Sequence, residues 1–179
     1  MTPPVPGERP RILVVDDQPT NIQTLYQVLK GDYDVAMATD GSQAIALCQR
    51  RPPDLVLLDV VMPGLDGFEV CRRLKQDQAT RDVPVIFVTA RDSTEDETQG
   101  LEVGAVDFIT KPVNPPVVRA RVRTHIDLKR QADLLRSMAF TDGLTGVANR
   151  RWFDERLQIE WERGEPPLLV PGHHRRPRR

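Results

Sequence analysis

Four places in the chain set a chemically capable side chain directly after an apolar run. Arg11-Ile-Leu-Val-Val15 runs into Asp16-Asp17, and Leu55-Val-Leu-Leu58 runs into Asp59. Val83 to Val88 runs into Thr89, and Ala105 to Ile109 leads to Lys111-Pro112. Short apolar runs bounded by polar residues read as buried parallel strands. The acids, the hydroxyl and the amine then sit at strand carboxyl ends, where an α/β sheet gathers its ligands. Three carboxylates in one crevice repel one another, which raises their pKa values. A hard divalent cation relieves that repulsion, and Mg²⁺ is commonly held by one or two carboxylates together with phosphate oxygens. A lysine and a hydroxyl beside it can hold further oxygens of a phosphoryl group.

The elements between these points must bring them together. Pro19 stands at a first helical position, followed by Ile22, Leu25, Tyr26 and Leu29 at helical spacing, with Gly31 ending the helix. Tyr33 to Met37 reads as a second strand, and Asp40 as the cap of a helix carrying Ala44, Ile45, Leu47 and Cys48. Met62 to Gly67 is a loop, and Phe68 to Lys75 a helix. Ser93 and Thr94 precede Asp96 and Glu97 at capping-box spacing, and Gly104 ends the polar helix that starts there. Pro115-Pro116 open a long last helix. Strands and helices alternating five times predict an α/β fold: a doubly wound, five-stranded parallel sheet with right-handed crossovers. Asp54, Asp66 and Asp107 fit no role in the acidic cluster and read as loop and cap residues.

Taken together, Val14-Val15-Asp16-Asp17, Leu57-Leu58-Asp59 with Met62-Pro63-Gly64, Val88-Thr89-Ala90 and Phe108-Ile-Thr-Lys111-Pro112 resemble the receiver domain of two-component response regulators. The resemblance covers residues 11–127 and implies a flavodoxin-like fold. It implies that Asp59 is the phosphoacceptor, a nucleophile that takes a phosphoryl group from a sensor histidine kinase and becomes an acyl phosphate. It further implies that Asp17 and Asp59 ligate Mg²⁺ directly, that Asp16 acts through water, and that the Val61 carbonyl is another ligand. Lys111 would pair with a phosphoryl oxygen. Thr89 would hydrogen-bond to the phosphoryl group and move toward it. Phe108 would turn inward as the switch aromatic. Lys111-Pro112 is a candidate cis peptide. Val61 and Arg91 would flank the approach of hydrolytic water.

Two enzyme alternatives fail on the residues. A haloacid-dehalogenase-type phosphatase needs a second Asp two positions after the nucleophile, where this chain has Val61. A P-loop NTPase needs G-x-x-x-x-G-K-[ST], which is absent from the sequence.

The last helix reads on to about Phe140, with residues 128–140 as a linker. Leu128, Ala132, Leu135 and Ala139 form a short seam that would suit a homodimeric coiled coil; Arg121 and His125 are poor seam residues. Thr141-Asp142-Gly-Leu144-Thr145-Gly146-Val-Ala-Asn149-Arg150-Arg151-Trp-Phe153 then resembles the opening of GGDEF-type diguanylate cyclase domains, D-x-L-T-G-x-x-N-R-R-x-F. Residues 141–169 would be the truncated start of such a domain. The loop that would hold GTP and the later metal-binding carboxylates are absent from the sequence, so no cyclase activity is expected. The expected mechanism is a phosphorylation-controlled switch that shifts Thr89 and Phe108, repacks the face made by the fourth helix, fifth strand and fifth helix, and selects one arrangement of the long helix in a homodimer. In an intact parent this would pair two cyclase domains making cyclic di-GMP. The alternatives are a receiver-only adaptor or phosphorelay shuttle, or a DNA-binding regulator.

Composition is consistent with this reading. The 179 residues carry 25 Lys+Arg and 26 Asp+Glu. Up to residue 127 the split is 14 basic to 19 acidic, and beyond it 11 to 7. The four-proline stretch Met1–Pro10 lacks the apolar core of a signal peptide and reads as a flexible leader, so a cytoplasmic protein is expected. Cys48 and Cys71 read as reduced packing residues. Residues 170–179, with Arg175, Arg176, Arg178 and Arg179, read as a basic disordered tail rather than a nucleic-acid contact. No membrane contact is expected, since no apolar run approaches ~20 residues.

Overall fold

A computed structural model describes residues 9–90 and 94–140. The predicted alternation holds. The strands are β1 (Arg11–Val15), β2 (Asp34–Ala38), β3 (Leu55–Leu58), β4 (Val85–Thr89) and β5 (Asp107–Thr110). The helices are α1 (Pro19–Leu29), α2 (Gly41–Arg50), α3 (Gly67–Gln76), α4 (Thr94–Glu102) and α5 (Pro115–Phe140). All strand pairs are parallel, in the order β2-β1-β3-β4-β5. The chain thus leaves β1 toward one edge and returns to its other side as β3. The crevice of a doubly wound sheet opens at that reversal.

The pleat divides the core in two. Leu13, Val15, Val56, Leu58 and Phe87 face Ala44 and Cys48 of α2 and Phe68, Val70, Cys71 and Leu74 of α3. Ile12, Val14, Leu55, Leu57, Ile86 and Ile109 face Ile22, Leu25 and Leu29 of α1 and Val118, Val122 and Ile126 of α5. β3 is fully buried on both faces, and each such Leu or Val contributes roughly 1.5–3 kcal/mol by leaving water.

Helix starts follow the local chemistry. Asp40 accepts the Gln43 N–H at 2.8 Å, while Gln43 Oε1 accepts the Thr39 N–H at 2.8 Å. Asp66 caps α3 by accepting the Glu69 N–H at 2.8 Å, the cap role expected of it. Gly104, at φ +96°, turns the chain out of α4 in the left-handed region that glycine tolerates. The Lys111–Pro112 bond is cis, as expected. Gly31 does not itself end α1: the last helical residue is Leu29, and Lys30 is the cap. β2 begins one residue later than the sequence suggests and β4 and β5 two later, because Val83 and Ala105 enter the core before ladder pairing starts.

Residues up to Gln131 form one compact unit, with a second beginning at Ala132. Leu128 and Leu135 of the expected seam are 54% and 67% exposed, and Ala132 is exposed as well. Ser93, Arg91 and the segment 141–179, with the cyclase-like motif and basic tail, lie outside the described residues, as does the Ala139 side chain.

Candidate functional site

Asp16 and Asp17 follow β1 and Asp59 follows β3, so all three stand at the sheet reversal. One carboxylate oxygen from each lies within 4.8 Å of the others. Asp16 and Asp59 are buried, at 1% and 4% exposure. Lys111, just beyond β5, reaches across β4 into this cluster. Its Nζ donates to Asp16 Oδ2 at 2.7 Å and to Asp59 Oδ2 at 2.6 Å. Its backbone N–H donates to the Thr89 carbonyl at 2.9 Å, which ties the lysine to the end of β4. Thr89 itself is buried.

The three carboxylates are held differently. Asp16 Oδ1 accepts from the Gln18 N–H and from Asn21 Nδ2, both at 2.9 Å. Asp59 Oδ1 accepts the Val61 N–H at 3.3 Å, and the Asp59 N–H donates to the Val15 carbonyl at 2.9 Å. Asp17 Oδ1 is buried with no hydrogen-bond partner among the described residues. A buried acceptor left unpaired costs about 1–3 kcal/mol, so such an atom calls for an explanation. Three convergent carboxylates, one with an unpaired oxygen, fit a hard divalent cation.

Burial pushes Asp59 above the usual carboxylate range, against the pull of the Lys111 hydrogen bond and charge. For Lys111 burial opposes the charged form, but its bonds to Asp16 and Asp59 outweigh this and hold its pKa above that of an ordinary lysine. One ammonium therefore faces three acids, and the site keeps room for more positive charge. A cleft of about 200 Å³ opens beside Lys111, lined by Asn21, Thr24, Leu25, Val88 and Pro112.

Val61 is 52% exposed, two residues beyond Asp59. Phe108 lies on β5, half-buried, with its ring 5.3 Å from that of Phe87. Phe87 in turn meets Phe68 edge-on at 5.2 Å.

Two residues of the site went unnoticed in the sequence. Asn21 reaches Asp16 from the first turn of α1, five positions on; a polar amide behind an acidic pair and a helix-opening proline was the available signal. Gly67 opens α3 so close to the strand end that a Cβ there would collide with the Asp59 carbonyl oxygen and lie 2.8 Å from Val60 Cα. A third residue was misread. Asp107 is not a loop or cap residue: its carboxylate pairs with Arg121 and lies 3.0 Å from His125 Nε2, both on α5. Asp54 does sit in a loop, where it accepts the Arg11 N–H at 2.7 Å.

Residues 12–123 match the family model of the response regulator receiver domain. The chain belongs to the response regulator receiver family. The chain is 47% identical over 138 residues to the response regulator PleD of Caulobacter vibrioides, spanning 76% of this chain and 30% of PleD. It is 45% identical to the DNA-binding response regulator MtrA of Mycolicibacterium smegmatis, over 70% of this chain and 53% of MtrA. The solved chemotaxis protein CheY4 of Vibrio cholerae superposes with a TM-score of 0.63 at 29% identity, covering 65% of this chain and 98% of that one. The chain thus spans a third to a half of the length of these curated relatives, while the receiver accounts for nearly all of CheY4. The matched domain is a receiver and not a cyclase. Among the described residues no helix is long and apolar enough to cross a membrane.

Proposed function

We propose that this receiver accepts a phosphoryl group on Asp59 from a sensor histidine kinase. The observation that carries the reading is Asp59 itself, buried at the sheet reversal, bonded to Lys111, beside an unpaired Asp17 oxygen. The carboxylate oxygen of Asp59 attacks phosphorus; the bond to the kinase's histidine nitrogen breaks as the new P–O bond forms, leaving an acyl phosphate. Lys111 follows the new charge, exchanging its bond to Asp59 for one to a phosphoryl oxygen. Thr89 donates its hydroxyl to another, and Phe108 moves with it. Asp17 and Asp59, with Asp16 through water and the Val61 carbonyl, would hold Mg²⁺, which neutralises negative charge on the transferring group.

The output reading is a homodimer formed through the extension of α5, whose Leu128 and Leu135 are exposed at heptad spacing. In a parent with a complete domain after Phe140, the motif from Thr141 to Phe153 favours a diguanylate cyclase. The likeness to MtrA favours a second reading, a DNA-binding output.

Intact mass after incubation with Mg²⁺ and acetyl phosphate tests the proposal. One phosphoryl adduct is expected on the wild type and none on Asp59→Asn. An adduct that persists in Asp59→Asn overturns the assignment. Light scattering with and without beryllofluoride tests the dimer, and a monomer in both states leaves a receiver-only adaptor or relay shuttle.

A further inference from the structure

Gly41 opens α2 directly after its cap, Asp40, and is buried. Gly64 and Gly104 are the described glycines with positive φ, so the backbone at Gly41 does not require glycine. Glycine is also a poor helix former. The space around it gives the reason. A Cβ there would stand 2.6 Å from Val70 Cγ2, 2.9 Å from the Leu65 carbonyl oxygen and 3.0 Å from Leu65 Cβ. These neighbours differ in kind. Val70 belongs to α3 and is fully buried in the core. Leu65 belongs to the loop between β3 and α3, and its carbonyl is backbone.

That loop is held at both ends. At its start the Val60 carbonyl accepts the Gly67 N–H at 2.9 Å, and the Val61 N–H donates to Asp59 Oδ1 at 3.3 Å. Gly64, at φ +77°, turns the chain. At its far end Leu65 rests on the bare backbone of Gly41. Planar peptides leave only φ and ψ to absorb a displacement. Lifting Leu65 off α2 therefore moves the few residues before it, and Val61 is among them.

We infer that Gly41 is a positioning residue for the cation site: its missing side chain lets the loop close on α2 at the height that brings Val61 to Asp59. The inference rests on the reading of the Val61 carbonyl as a Mg²⁺ ligand, and it adds a control point on a helix that supplies no ligand.

Mg²⁺ titration by calorimetry tests it in wild type, Gly41→Ala, Val70→Ala and the double variant, with urea midpoints on the same proteins. The Val61 amide resonance, recorded without Mg²⁺, reads the loop itself. Gly41→Ala should lower the urea midpoint, shift the Val61 resonance and weaken Mg²⁺ binding about tenfold. In the Val70→Ala background the Cγ2 contact is gone, so most of the midpoint loss caused by Gly41→Ala should vanish. The loss of Mg²⁺ affinity should remain, because the Leu65 carbonyl cannot turn aside. Affinity restored together with stability would show that Gly41 serves packing alone and overturns the inference. So does a Gly41→Ala protein with wild-type Mg²⁺ affinity or an unmoved Val61 resonance. A wild type that binds no Mg²⁺ overturns the cation reading, and the inference falls with it.

Discussion

The carboxylate of Asp107 lies 3.0 Å from Nε2 of His125 and also pairs with Arg121, so one β5 side chain fastens the edge of the sheet to two successive turns of α5. Burial raises the cost of that charge, but the hydrogen bonds from Arg121 and His125 outweigh it and hold the Asp107 pKa below the ordinary value of 3.8. A group whose folded pKa is depressed contributes stability that is present above its unfolded pKa and lost as pH falls through the folded one. Asp107→Asn should therefore cost about 1 kcal/mol near neutral pH, a modest figure because the Arg121 side chain is 44% exposed. The gap between wild type and variant should shrink as pH drops below 3.8. Urea denaturation across a pH series checks both; a gap that stays constant in acid would show that packing, not charge, is lost.

The unpaired Asp17 oxygen predicts a cation-dependent stability. At a hundredfold excess over its dissociation constant, Mg²⁺ should stabilise the fold by about 2.7 kcal/mol, and chelation should reverse this. Asp17→Asn should remove most of the gain. Calorimetric midpoints with and without Mg²⁺ decide it, and an equal rise in both proteins would place the cation elsewhere.

Gly67 predicts a steric limit on the site. Its Cβ position overlaps the Asp59 carbonyl oxygen, which is backbone and cannot swing aside. Gly67→Ala should destabilise by about 3 kcal/mol and slow adduct formation, since Asp59 must shift with its own carbonyl. Chemical denaturation and adduct kinetics measure the two effects, and a variant normal in both would mean α3 can retreat freely.

The two thiols should be silent. Burial pushes Cys48 up to about 12 and Cys71 up to about 11, and the thiolate is the reactive form. In the native protein at pH 8 neither should react with a disulfide reagent over minutes, and both should react on adding denaturant. Prompt native labelling of either would mean that its helix opens readily.

The strand ends were readable in the sequence because buried parallel strands are continuous apolar runs that stop abruptly at polar residues. Once Asp16, Asp59, Thr89 and Lys111 are placed at carboxyl ends, one sheet brings them together without further information. The remaining features depend on distances between elements. Asp107 meets His125 only because of how α5 is rotated over β5, and no local pattern encodes that rotation. Gly67 and Gly100 look like routine helix residues until the atoms opposite them are known. Asn21 was hidden for a milder reason: its partner lies within reach along the chain, but a polar residue in a first helical turn is usually solvated.

β5 is the edge strand of the sheet, bonded along one side to β4 alone. Its consecutive residues point to opposite faces: Asp107 and Ile109 toward the α1–α5 layer, Phe108 toward the α2–α3 layer and α4. An interior strand cannot roll about its axis without breaking ladders on both sides; β5 strains only one. The strand thus carries a contact on each face: the Phe108 ring lies against the backbone of α4 at Gly100, and Asp107 pairs with Arg121 and His125 of α5. Two helices on opposite sides of the sheet meet one edge strand through two adjacent residues.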